Sequence, residues 1–181
     1  MTVLAQGLVA GTYTIDPSHS SATFIVRHAG ISKVRGTVDI ASGTITVGDD
    51  VESSSVTAVL DAASVSTGSP DRDAHLKTAD FWDVEKNPTW TFTSTSVAAK
   101  GGDYVLTGDL TINGVTQSVE LELEPTGSAV DAFGNPRTAF EATTEFSRKD
   151  FGLTWNAALE AGGVLVSDKV KVELDISAIK A

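Results

Sequence analysis

The sequence predicts an all-β protein: a closed antiparallel β-barrel of about eight strands, with one short helix near residues 69–80. Three observations carry the prediction. Apolar and polar residues alternate strictly in several segments, Asn113-Gly114 sits between two such segments, and only one interval opens with helix-start signals.

Alternation is clearest in Val119-Glu120-Leu121-Glu122-Leu123-Glu124, where side chains of a strand would be apolar on one face and acidic on the other. Val170-Lys171-Val172-Glu173-Leu174-Asp175-Ile176 repeats it, as do residues 22–28, 90–95 and 140–146 in weaker form. Asn113-Gly114 is the dipeptide favoured by a two-residue type I′ hairpin, which requires positive φ at both central residues, so residues 109–112 and 115–119 should pair antiparallel. Further breaks are expected at Asp16-Pro17, Ala41-Ser42-Gly43, Val47-Gly48-Asp49-Asp50, Lys100-Gly101-Gly102, residues 132–136 and Ala161-Gly162-Gly163. In Ser69-Pro70-Asp71-Arg72-Asp73, a capping serine, a proline at the first helical position and acidic residues in the first turn open the helix. Leu76, Ala79 and Phe81 would lie on its inner face.

At 181 residues, 41% hydrophobic and 20% charged, the chain is expected to form one globular domain over residues 1–181, with residues 1–10 as an N-terminal extension. A net charge of -11 without a basic cluster argues against nucleic-acid binding. The absence of cysteine excludes disulfides and thiolate metal sites. Residues 1–10 lack the basic start and apolar run of a signal peptide, and no apolar stretch has the length of a membrane span. The expectation is a cytoplasmic protein, periplasmic or secreted if a leader has been removed.

Two-faced strands must bury their apolar side, and with one short helix available the sheet has to fold onto itself. The inward set is Phe24, Val26, Val38, Trp90, Phe92, Leu110, Ile112, Val119, Leu121, Phe140, Phe146, Val172 and Leu174. Periodicity identifies this dry face without saying whether it surrounds a hollow or a filled core. A sandwich with a full interior satisfies the same pattern.

The order of motifs resembles the YceI-like family of polyisoprenoid-binding, lipocalin-like lipid-binding proteins. The similarity runs from about Gly11 to the C-terminus, through Tyr13-Thr14-Ile15-Asp16, Phe24-Ile25-Val26-Arg27-His28 and Val34-Arg35-Gly36-Thr37-Val38. It continues in Arg72-Asp73-Ala74-His75-Leu76, Asp80-Phe81-Trp82-Asp83, Pro88-Thr89-Trp90-Thr91-Phe92, residues 108–116 and Arg148-Lys149-Asp150-Phe151-Gly152. The resemblance implies a lipocalin-like barrel with a helix at one end and a tunnel-like apolar pocket for an isoprenoid lipid, either a polyprenyl phosphate or an isoprenoid quinone. The lining would then comprise Phe24, Val26, Val38, Leu76, Phe81, Trp82, Trp90, Phe92, Leu110, Phe146 and Trp155, with Arg72, His75 and Lys149 touching a polar head at the mouth. Trp82 and Trp90 stand where smaller or other apolar residues are frequent in the family, which implies a pocket of different shape.

No cofactor other than such a lipid is expected. The three histidines, His19, His28 and His75, fall in a turn, a strand and a helix without ligand spacing, so no metal site is expected. No nucleophile elbow or glycine-rich phosphate loop is present, and a binding protein is expected rather than an enzyme. The alternative is an enzyme acting on an apolar substrate through Arg72, Asp73 and His75. The plainer reading of that cluster is an ion pair and backbone contacts that fix the helix. Aromatic residues near Phe133 or Trp155 offer a patch for a homodimer.

Overall fold

A sheet whose strands each carry one apolar face must hide that face and dispose of two edges, and closure does both. The computed structural model describes residues 1–157 and 165–181, and nine strands form one sheet in it. In chain order they are β1 (Gly11–Ile15), β2 (Ser21–His28), β3 (Ser32–Val47), β4 (Ser55–Ser66), β5 (Thr89–Lys100), β6 (Asp103–Ile112), β7 (Val115–Val130), β8 (Pro136–Ser147) and β9 (Lys169–Lys180). From β2 to β9 each strand pairs antiparallel with the next, and pairing of β2 with β9 closes the ring.

The barrel nonetheless has eight staves. Short β1 pairs with the same two neighbours as β2, joining Thr44–Val47 of β3 and Ala178–Lys180 of β9, so β1 and β2 occupy one stave in succession. A 3-10 turn at Pro17–His19, capped by the Asp16 carboxylate, separates them.

Asn113 and Gly114 take φ of 54° and 72°, and Ile112 faces Val115 across the two-residue turn, as the dipeptide predicts. Ala41-Ser42-Gly43 is not a break. It lies inside β3, where a bulge between Ile40 and Ser42 shifts the register against β4 and hands the inward positions from even to odd residues, Ile40 before it and Ile45 and Val47 after. Pairing of Ser42 and Gly43 with Val59 and Ala58 of β4 holds the chain extended through a sequence that, read locally, resembles a turn. The expected turn at Ala161-Gly162-Gly163 falls outside the described residues.

The helix α1 spans Pro70–Leu76, with Ser69 accepting from the Arg72 amide at 3.4 Å. It stops short of the expected residue 80. The Thr78 hydroxyl donates to the His75 carbonyl at 2.6 Å and the Trp82 amide to the Leu76 carbonyl at 3.1 Å, folding the chain into consecutive turns instead. With the β2–β3 and β6–β7 connections and residues 148–157, α1 lies at what we term the helix end of the barrel. Residues 1–10 and the β3–β4, β5–β6 and β7–β8 connections lie at the N-terminal end. Among the described residues no helix is long and apolar enough to cross a membrane.

Candidate functional site: an all-carbon cavity

Inside the ring is a cavity of about 170 Å³ to which all nine strands contribute. Phe24, Val38, Trp90, Phe92, Leu110 and Phe146, expected as lining, stand in its wall, together with Ile112, Val119, Leu121, Phe140, Val172 and Leu174. Among the described residues, Thr23, Thr144 and Trp90 are those of the wall with side-chain heteroatoms, yet the surface they and the others turn to the cavity is carbon throughout. The Thr144 hydroxyl is turned to the Glu120 carbonyl at 2.6 Å. Such a surface offers nothing to a charged group and excludes water for want of partners.

Two glycines help keep the interior open. Phe24 pairs across the ladder with Gly36, and its ring lies where a Cβ at that position would be. The Phe92 ring lies likewise over Gly108, whose added Cβ would also stand 2.7 Å from the Thr93 carbonyl oxygen. Each phenyl ring therefore folds against the wall and not across the bore. Wall residues Val56, Ala58 and Leu60 of β4 were not picked out from the sequence, because apolar Val59 interrupts their alternation.

Five residues expected in the lining stand outside the cavity wall. Val26 has inward parity but lies beyond the cavity toward the end of β2. Leu76, Phe81, Trp82 and Trp155 belong to an aromatic seal over the helix end. There Trp82 meets Phe24 and Trp90 edge-on, with ring centroids 5.5 and 5.0 Å apart, and Trp155 packs on His75 and Phe81 at 4.8 and 5.3 Å. Trp155 is thus half-buried and Phe133, 89% exposed, sits at the opposite end, so the two do not share a surface patch.

The polar residues assigned to a head group have local partners. Arg72 donates from Nε to the Thr67 hydroxyl and from Nη2 to the Thr67 carbonyl, both at 2.7 Å, while Asp73 accepts from the Thr67 amide and hydroxyl. His75 Nε2 bonds Asp80 at 2.8 Å, and Lys149 lies 3.3 Å from Asp168. None of these four side chains lines the cavity. They tie the strand-to-helix turn and the β8–β9 connection in place.

Arg148 reads in the sequence, with Lys149 and Asp150, as a turn-stabilising ion pair, and the structure buries it. At 3% exposure it donates to the carbonyls of Leu153 and Ser167, at 2.6 and 3.0 Å, pinning the β8–β9 connection beneath the seal. Burial pushes its pKa down, against the pull of Asp168, although a guanidinium remains charged at any physiological pH. Parity along β8 carries the signal: residues 140, 142, 144 and 146 point inward, and 148 continues the series.

Comparison with known proteins agrees with this geometry. Protein YceI of Escherichia coli O17:K52:H18 is 40% identical over 152 residues, covering 82% of this chain and 80% of its own. Among solved structures, Burkholderia cenocepacia BcnA superposes with a TM-score of 0.78 at 18% identity, over 90% of this chain and 98% of its own. A polyisoprenoid binding domain from Saccharophagus degradans gives 0.71 at 16% identity, over 93% and 98%. These two likenesses speak for the barrel alone. The family model of the YceI-like domain matches residues 13–178, from within β1 to near the end of β9, and the chain belongs to that family.

Proposed function

We propose that this protein binds a long isoprenoid lipid, a quinone or a polyprenyl phosphate, with the tail inside the barrel, and carries or sequesters it without chemical change. The observation behind this reading is the carbon-only cavity in the centre of a barrel whose outer face is charged. Burying an aliphatic tail there contributes roughly 0.8 kcal/mol per methylene, which supplies affinity without any polar contact. A phosphate has no partner in such a wall and stays in water at an end of the bore, whereas a quinone ring brings only neutral carbonyls. The binding of a polyisoprenoid by a structurally similar domain is in keeping with this reading.

Catalysis through Arg72, Asp73 and His75 is the weaker reading, since each is bonded to a local partner, Thr67 or Asp80, and none stands in the cavity wall. Organic extraction of purified protein followed by mass spectrometry should release an isoprenoid lipid. Delipidated protein should bind prenyl quinones with quenching of tryptophan fluorescence, Trp90 being in the wall. Repeated extraction of nothing, with no quenching by any prenyl quinone, would rule the reading out.

A further inference from the structure

The cavity is small for the ligand class proposed. An engineered apolar cavity of about 150 Å³ holds benzene, and about 170 Å³ is little more, far short of a long prenyl tail. The bore must lengthen, and the two ends differ in how readily they allow it. At the helix end stand Phe81, Trp82 and Phe151, all buried, with Arg148 pinned below. At the N-terminal end a second void of about 40 Å³ adjoins the first, sharing Ile45, Val56, Leu106, Leu123 and Phe140 with its wall. Leu4 and Leu8 cover that void.

We propose that residues 1–10 form a displaceable plug that sets the length of tail the barrel accepts; this rests on the isoprenoid-binding reading above. The segment belongs to no strand. Its backbone hydrogen bonds to the barrel are few: the Val51 amide donates to the Thr2 carbonyl at 3.0 Å, and the Tyr13 hydroxyl to the Val9 carbonyl at 2.8 Å. A side-chain clasp adds the Thr2 amide on the Glu52 carboxylate at 2.9 Å, with the Thr2 hydroxyl on the same group. Met1, Val3 and Val9 are already exposed, so Leu4, Ala5 and Leu8 are the side chains that dock on the core. Lifting them re-exposes little apolar surface, and a prenyl tail entering the vacated end restores what is lost. The segment also precedes the residues matched by the family model, which begin at 13.

The test compares short-, medium- and long-tailed ubiquinone isoprenologues on three proteins: the intact chain, a deletion of residues 1–9, and the full-length L4A/L8A variant. The last retains the segment and remains available should the deletion fail to fold. On the intact chain affinity should rise with tail length and then level off. In both variants the levelling should move to longer tails, the long-tailed quinone gaining at least about tenfold while the short-tailed one changes little, as added buried methylenes require. An unchanged length profile, or an equal loss for all three ligands, overturns the plug while leaving isoprenoid binding intact. Absence of binding by every ligand on every protein overturns both.

Discussion

At the helix end of the barrel, rings pack on rings: Phe24, Trp82 and Trp90 form one edge-to-face series, and Phe81 and Trp155 enclose His75. At the N-terminal end, ten residues without regular structure lean two leucines over a void, while the rim beside them is held by charge. Arg137 there donates to Asp131 at 2.7 Å and to Asp16 at 2.8 Å, joining the β7–β8 hairpin to the stave shared by β1 and β2. The same barrel is thus closed at one end by packing, which is costly to undo, and at the other by a light segment within a polar frame. A container needs one permanent end and one that yields.

The largest expected effect follows from removing a ring at the packed end. Trp82→Ala should cost about 3–5 kcal/mol in urea unfolding, as buried aromatic truncations do, whereas Leu8→Ala, half-buried under a yielding segment, should cost about 1 kcal/mol or less. Equal costs would erase the distinction between the ends. Next comes Gly36→Ala, which drives the Phe24 ring toward the bore. It should cost about 1–3 kcal/mol through overpacking, and quinone binding measured by fluorescence quenching should fall. A variant that binds as well as the parent would show that Phe24 has another place to go.

Acid provides the mildest probe. The Arg137 guanidinium holds the Asp131 carboxyl down to about 2, and Asp16 further below the usual range; the Thr2 hydroxyl and amide hold Glu52 at about 2. Groups depressed in the fold contribute stability that is complete above the ordinary carboxylate range near about 4 and is lost as pH falls from there through about 2. All three lie toward the N-terminal end, so amide exchange in that window should rise in residues 2–16 and 131–137 before it rises in 81–90. Arg137→Met should remove most of this pH dependence, the variant being less stable at neutral pH and converging with the parent near the acid limit.

Much of this architecture is written in local pattern. The alternating run at residues 119–124 and the Asn113-Gly114 turn specify a dry face and a register by themselves, and residues 24, 38, 92 and 110 fall on the cavity wall because parity alone decides which way a strand residue points. What alternation leaves open is how much of the dry side is filled. Phe81, Trp82 and Trp155 share the apolar character of the wall and differ from it only in lying in connections, so their place in the end seal depends on how those connections fold back. Residues 1–10 show no period, and their two leucines acquire a role only once a void is known to lie beneath them. At Ala41-Ser42-Gly43 the local turn signal is weaker than the β4 ladder that pairs with it.

Gly36 and Gly108 have a consequence for how such proteins diverge. A hydrogen atom in place of a methyl lets an aromatic neighbour lie flat, and capacity thereby becomes a heritable trait separable from architecture. A lineage can resize its cargo space, or fill it solid, through substitutions beneath the rings that leave every strand, turn and pairing where they were. Two superimposable barrels can therefore be a vessel and a plain scaffold, and the residue beneath each inward phenyl is the place to tell them apart.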